Sequence, residues 1–81
     1  MKLKDTIALM ESEDFKDRFR AEYYQVKIRL EKLNVMLEKY KAGLLNFEPK
    51  CPYELLKAQA TSMEHYKSRL EERAKIEGIK L

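Results

Sequence analysis

The side chains that most often carry catalysis or bind metal ions are few in this chain, and their spacing suits neither task. His65 is the only histidine and Cys51 the only cysteine, so no second Cys or His stands at the spacing of a zinc site. Ser62 and Ser68 lie in a charged stretch without the glycine-rich turn that exposes a serine nucleophile. The sequence therefore predicts neither an enzyme nor a metal centre, and it indicates no cofactor.

Polar residues that interrupt a regular apolar pattern are more informative. In the second half of the chain, Gln59 and Arg73 occupy positions that the apolar spacing assigns to the inside of a helix pair. Arg29 borders the corresponding stripe of the first half, and Lys32 lies close to it. Because a buried guanidinium needs a partner, Arg73 is expected to pair with Glu22, to emerge at the end of the bundle, or to bind an anion such as phosphate.

A second group of candidate residues combines basic side chains with aromatic rings on successive turns: Arg18, Arg20, Tyr23, Tyr24 and Lys27. Such a combination can hold phosphates while it stacks a base. Tyr23 also fits the apolar stripe, where its ring would lie in the core. Ion pairs with carboxylates one turn away neutralise part of the patch. The pairs expected from the spacing are Asp14 with Arg18 and Asp17 with Arg20.

Helices must position these side chains, because Gly and Pro are scarce and 38% of the residues are charged. The apolar residues of the first half recur in alternating steps of four and three: Phe19, Tyr23, Val26, Leu30, Leu33, Leu37, Tyr40 and Leu44. This heptad stripe keeps one side of a helix against a partner helix along its whole length. Ser12 is expected to cap this helix, which spans residues 13–41 and ends at Gly43.

The second half contains a similar stripe: Leu56, Gln59, Met63, Tyr66, Leu70 and Arg73. Pro52 suits the first turn of this helix and Gly78 its end, so the helix is expected over residues 52–77. A short helix is expected over residues 3–11. The matched lengths and the short link predict an all-α fold, an antiparallel hairpin of two long helices with a short N-terminal helix, in a single domain over residues 1–81.

Two helices leave apolar residues of the first helix without a partner. Tyr24, Ile28 and Val35 lie on the side away from the main stripe, and Met36 lies at its flank. An 81-residue chain also buries too little surface for a large core of its own. We therefore expect a homo-oligomer, a dimer or a larger bundle, in which the N-terminal helix covers part of the remaining apolar surface.

The charge and the hydropathy of the chain indicate which ligands and which compartment suit it. The 17 basic and 14 acidic residues are intermixed and give a net charge of +3. This mild excess allows a phosphate-bearing ligand but is too diluted for a surface that tracks nucleic acid. No long apolar run marks a signal peptide or a membrane span, and the single cysteine fits a reducing compartment. We expect a cytoplasmic protein with no membrane partner.

A motif extends over both predicted long helices. Its positions read Arg, Glu-Tyr and Arg-x-x-Lys-Leu on the first helix and Leu-Leu-x-x-Gln-x-x-x-Met-x-x-Tyr-x-x-x-Leu-x-x-Arg on the second. The matching residues are Arg18, Glu22, Tyr23, Arg29, Lys32, Leu33, Leu55, Leu56, Gln59, Met63, Tyr66, Leu70 and Arg73. In these residues the chain resembles a widespread family of small phage and prophage proteins related to a crAss-like phage protein.

The resemblance implies a function by analogy with small helical phage proteins that oligomerise and sequester nucleotide immune signals, such as the anti-CBASS and anti-Thoeris sponges. We expect the chain to bind a cyclic dinucleotide or an ADP-ribose derivative between protomers, in the cytoplasm of an infected bacterium, without cleaving it. The residues expected to bind it are Arg18, Tyr23, Tyr24, Arg29, Lys32, Gln59, Tyr66 and Arg73. The main alternative is a helical protein–protein interaction module, and a third is a nucleic-acid accessory protein.

Overall fold

The computed structural model describes all residues from Met1 to Leu81 and contains only helices. A 3-10 turn over Leu3–Thr6 leads into the short helix α1, Ile7–Met10, and two long helices follow, α2 over Phe15–Ala42 and α3 over Tyr53–Glu77. The two long helices pack antiparallel, and the short N-terminal segment packs on α2. This arrangement confirms the predicted all-α hairpin with a short N-terminal helix. No helix of the chain is long and apolar enough to cross a membrane.

Helix α2 begins two residues later than the sequence predicts, because Asp14 caps it in place of Ser12. The Asp14 carboxylate accepts a hydrogen bond from the Lys16 backbone N–H at 2.9 Å. The Ser12 hydroxyl lies outside the helix, where it donates to Asp17 at 2.9 Å and accepts from the Asp14 backbone N–H at 3.1 Å. Gly43 ends α2 in the left-handed conformation, with φ of 72°, as the sequence predicts.

Helix α3 begins directly after Pro52, whose fixed φ suits the entry to a helix. Gly78 ends α3 with a left-handed φ of 68°. The turn at Gly78 sends the chain back over α2, so that the Ile79 backbone N–H donates to the Ala74 carbonyl at 2.8 Å. The side chain of Ile79 is buried, and the Arg20 Nε donates to the Lys80 carbonyl at 2.7 Å. The residues after α3 therefore contribute to the core, although the helical spacing of the sequence does not predict this.

The inward stripe of α2 is the predicted one from Phe19 to Tyr40, whereas Leu44 lies beyond the helix and is exposed. The inward stripe of α3 is shifted from the predicted one. Its buried and half-buried residues are Tyr53, Leu56, Ala60, Met63, Lys67, Leu70 and Ala74. The prediction that Gln59 and Arg73 belong to the inward stripe is wrong, since both are exposed. Alanines occupy the neighbouring inward positions of α3. The Gln59 amide and the Arg73 guanidinium therefore stay in contact with water, and folding does not need to desolvate them.

Two apolar clusters hold the hairpin together. The cluster at the open end joins the start of α2 to the end of α3 and the residue after it: Phe19, Tyr23, Leu70, Ala74 and Ile79. The cluster nearer the linker is built on Leu30, Leu37 and Ala60, and half-buried residues of both helices surround it. The rings of Tyr40 and Tyr53 meet edge to face at 5.5 Å and close the linker end.

The N-terminal segment covers part of the side of α2 that faces away from α3. Thr6 is buried there, where its hydroxyl accepts a hydrogen bond from the Gln25 amide at 3.0 Å and donates to the Leu3 carbonyl at 2.7 Å. Ile28 is buried as well, which agrees with the expectation that the N-terminal helix covers part of the apolar surface of α2. Val35, two turns further along α2, remains 51% exposed.

Candidate ligand-binding face

A contact between Glu22 of α2 and Tyr66 of α3 marks one side of the hairpin. The Tyr66 hydroxyl donates a hydrogen bond to the Glu22 carboxylate. This contact places the two residues at the same level along the hairpin. Because the helices are antiparallel, every other residue on this side can be located by its distance in sequence from this pair.

Six polar or charged residues share this side, and we name them the polar face: Arg18, Glu22, Arg29, Gln59, Tyr66 and Arg73. On α2 they are separated by four and seven residues and on α3 by seven, so each set forms one stripe. Arg29 and Gln59 both lie about 10.5 Å from the Glu22–Tyr66 level towards the linker, whereas Arg18 lies about 6 Å from it towards the open end. The structure thus places five of the eight predicted site residues on one side of the hairpin.

Two arginines of α2 flank the Glu22 and Tyr66 contact, and neither is in an ion pair within the chain. Arg18 donates from Nη1 to the Ser12 carbonyl at 2.8 Å, not to Asp14 as the spacing predicts. Arg29 is exposed. An unpaired guanidinium at the surface is free to bind an oxyanion through two parallel hydrogen bonds.

Of the three arrangements considered from the sequence for Arg73, the structure shows the one at the end of the hairpin. Its guanidinium lies over the Phe19 ring at 5.0 Å, and its Nε donates to Glu77 at 3.1 Å. The predicted pair with Glu22 does not form, because Glu22 lies level with Tyr66, about 10.5 Å along α3 from Arg73. Arg73 therefore emerges at the open end of the hairpin, held by a cation–π contact and an ion pair.

Gln59 completes the polar face near the linker. Its side chain is exposed, and its amide nitrogen lies 3.9 Å from the Met63 sulfur, one turn along α3. A thioether is a weak acceptor. The amide is therefore available to donate to and accept from a ligand.

The other three predicted site residues lie elsewhere. Tyr23 is buried in the core, where its hydroxyl donates to Glu71 at 2.7 Å on the opposite flank of the hairpin. Tyr24 packs edge to face on Tyr23, with the Lys27 ammonium 5.9 Å from its ring centre. Lys32 lines grooves on the side of α2 that faces away from α3. A predicted stacking role for Tyr23 requires an accessible ring, which the core position denies it.

Glu22 belongs to the polar face although the predicted site does not include it. Its position four residues after Arg18 and seven before Arg29 places it on the same stripe, so the spacing contained the signal. A carboxylate among arginines accepts hydrogen bonds from ligand hydroxyl or amino groups, whereas the arginines bind anionic groups. The face therefore offers both cationic donors and a carboxylate acceptor.

The hydrogen bond between Tyr23 and Glu71 links the ionisation of both groups to folding. Burial, followed by the hydrogen bond to Glu71 and its charge, raises the pKa of Tyr23 well above its ordinary value. The same hydrogen bond lowers the pKa of Glu71. Because the pKa of Tyr23 is raised, the stabilisation that its hydrogen bond provides is present at neutral pH and is lost as the pH rises. For Glu71 the sign is opposite, and its stabilisation is lost as the pH falls through its lowered pKa.

We expect the free energy of unfolding to decrease as the pH rises above about 10, where a tyrosine in the unfolded chain ionises. The substitution Tyr23→Phe should remove about 1 kcal/mol of stability near neutral pH and flatten this alkaline decrease. Urea unfolding between pH 7 and 11 measures both effects. The matched control is Tyr53→Phe, which removes a phenol outside this hydrogen bond and should keep the alkaline slope. An unchanged slope in Tyr23→Phe would contradict the assignment.

Comparison with known proteins finds a family match. The model of the family described as Sequestin matches residues 13–76, which include both long helices almost completely and every residue of the polar face. No curated protein and no solved structure matches the chain.

Proposed function

Because the chain belongs to the Sequestin family, we propose that it binds and sequesters a host nucleotide immune signal, a cyclic dinucleotide or an ADP-ribose derivative, without cleaving it. The family name suggests sequestration of a ligand rather than catalysis. The observation that carries the proposal is the polar face, on which three arginines, a glutamine, a tyrosine and a carboxylate share one side of the hairpin.

The polar face suits a ligand with phosphates at its ends or centre and hydroxyl or amino groups between them. Arg18 and Arg29 lie on opposite sides of the Glu22 and Tyr66 level, so their long side chains can both reach a ligand placed over Tyr66. The exposed Tyr66 ring offers a stacking surface for a base. Gln59 and Glu22 then read the polar edge of a base or a ribose, which distinguishes a nucleotide from free phosphate.

Two features support binding without cleavage. The groups that bind phosphate on the polar face are guanidiniums, which are permanently protonated and cannot act as general bases. The single histidine, His65, lines a groove on the opposite flank with Lys57 and Glu64. The imidazole is therefore not among the residues of the polar face.

We also propose that a second copy covers the bound ligand. Ligand sites usually bury most of the ligand surface, and the polar face of a single hairpin is open. Each such face carries three arginines against the carboxylates of Glu22 and Glu77, so two faces have a net positive charge and repel one another until an anionic ligand lies between them. The ligand would then act as the bridge, and the complex would form in the cytoplasm of an infected bacterium.

Thermal unfolding with a panel of nucleotides tests the proposal. At a ligand concentration about 100 times Kd, the free energy of unfolding should rise by about 2.7 kcal/mol. For a domain of this size, that raises Tm by at least about 10 °C. The panel contains cyclic dinucleotides, cyclic and linear ADP-ribose derivatives, AMP as a mononucleotide control and inorganic phosphate as an anion control.

Two results would overturn the proposal. One is the absence of a shift with every cyclic dinucleotide and ADP-ribose derivative. The other is conversion of the ligand, so the protein is denatured after incubation and the released ligand is identified by liquid chromatography and mass spectrometry. Recovery of intact ligand in stoichiometric amount is the result that sequestration requires.

A further inference from the structure

The side of α2 that faces away from α3 carries an uncovered apolar surface, which we name the back surface. Its residues come from the N-terminus, from α2 and from the linker between the long helices: Met1, Ile28, Val35, Leu44 and Phe47. All except Ile28 are exposed, and Leu44 is 73% exposed. Adjoining grooves connect them on both sides of Val35. Contiguous exposed apolar residues of this kind mark a surface that another molecule covers.

Charged residues border the back surface in an ordered way. Lys32 and Lys39 stand three residues before and four residues after Val35, which places both on one edge of the stripe. Glu31 and Glu38 stand four before and three after it, which places both on the other edge. None of these four side chains is in an ion pair within the chain. One edge is thus basic and the other acidic, and both lack partners.

We propose that the back surface binds the back surface of a second copy of this chain, with the linker-side halves of the two α2 helices, beyond the N-terminal segments, parallel about a two-fold axis. In a parallel pair, the acidic edge of each copy lies against the basic edge of the other, on both sides of the axis. An antiparallel pair places acidic against acidic and basic against basic. The apolar stripe supplies the attraction, and the charged edges select the orientation.

This interface is separate from the contact between polar faces in the proposed function and goes beyond it. It uses the side of α2 opposite to α3, so the polar faces of both copies remain accessible to ligand. At one end of such a parallel pair, the linkers of the two copies also meet. Leu44 and Phe47 extend the apolar contact there. The back-surface dimer therefore forms without ligand, whereas contact between polar faces requires it.

The substitution Val35→Glu tests the surface. It places a charge in the middle of the apolar stripe, and the dissociation constant of the ligand-free dimer should rise by at least about 100-fold, as a buried unpaired charge requires. Sedimentation equilibrium across a concentration series measures it, and circular dichroism verifies that the variant is folded. The matched control is Ile76→Glu, at an exposed position of α3, which should leave the dimer intact. A monomeric wild-type protein, or a Val35→Glu dimer of unchanged affinity, would overturn the interface.

Single cysteines test the orientation. With Cys51 replaced by serine, Val35→Cys and Ala42→Cys each place a thiol on the stripe, seven residues apart. In a parallel dimer each thiol faces its own counterpart, so oxidised glutathione should crosslink both variants. In an antiparallel dimer only a residue at the two-fold axis faces itself, so crosslinking of one variant alone would overturn the parallel arrangement.

Nucleotide binding by Val35→Glu separates this inference from the proposed function. A variant that is monomeric without ligand but keeps the thermal shift supports both. If the wild-type chain dimerises through Val35 and shows no shift with any nucleotide, the interface stands and the proposed ligand is wrong. If the wild-type chain binds nucleotide but is monomeric without it, the interface is wrong and the ligand stands.

Discussion

Replacement of Arg29 by glutamate is expected to weaken nucleotide binding by about 100-fold, which corresponds to about 2.7 kcal/mol. A charge-assisted hydrogen bond contributes about 1.5 to 3 kcal/mol, and the new carboxylate also repels the phosphate. Isothermal titration calorimetry with the nucleotide that gives the largest thermal shift measures the change. Because Arg29 is exposed and outside every ion pair of the chain, the free energy of unfolding should hardly change.

The control for this substitution is Lys57→Glu. It makes the same change in net charge at an exposed position on the opposite flank of the hairpin, beside His65. We expect it to change the affinity less than threefold at physiological salt, because screening reduces interactions over more than about 8 Å. Equal losses in the two variants would mean that the net charge of the chain, and not the polar face, attracts the ligand.

The largest loss of stability is expected for Leu70→Ala, at about 2 to 5 kcal/mol. Leu70 is 2% exposed and lies in the cluster at the open end, between Phe19 of α2 and Ile79 after α3. Truncation removes apolar burial and leaves a cavity that the surrounding rings fill only partly. For a domain with an ordinary stability of about 5 to 15 kcal/mol, the loss is a large fraction of the total. Urea unfolding monitored by circular dichroism measures it.

Leu55→Ala serves as the control for Leu70→Ala, because Leu55 lies on the same helix and is 59% exposed. The two substitutions have the same effect on helix propensity, so their difference isolates the contribution of burial. We expect the Leu55 variant to unfold within about 0.5 kcal/mol of the wild type. Similar losses at both positions would contradict the assignment of Leu70 to the inward stripe of α3.

The inward stripe of α2 could be predicted because its heptad positions up to Tyr40 are all apolar. The stripe of α3 could not be predicted in the same way, because two overlapping stripes fit the spacing. One contains the larger side chains of Gln59 and Tyr66, and the other contains Ala60 and Lys67. The hairpin buries the second, since Ala60 allows a close approach to α2 and the Lys67 ammonium pairs with Glu71 at 3.4 Å.

The predicted site contains the α3 residues of the polar face despite that error. Gln59, Tyr66 and Arg73 are seven residues apart, and residues with this spacing share a stripe wherever the helix is turned. In the structure the whole stripe lies on the surface of the hairpin, whereas the spacing predicted it on the inside. The expectation that they act together stays a prediction, as do the ligand and the oligomer.

The sequence by itself determined the features that depend on neighbours along the chain. These are the two long helices, their glycine ends at Gly43 and Gly78, and the sets of residues that share a stripe, all of which follow from backbone hydrogen bonds and helical periodicity. Only the tertiary structure decided which stripe of α3 faces α2 and that Ile79 returns to the core. The free energies of the two packing arrangements of α3 differ only by the contribution of a few side-chain contacts. Those contacts form between residues that are distant in sequence.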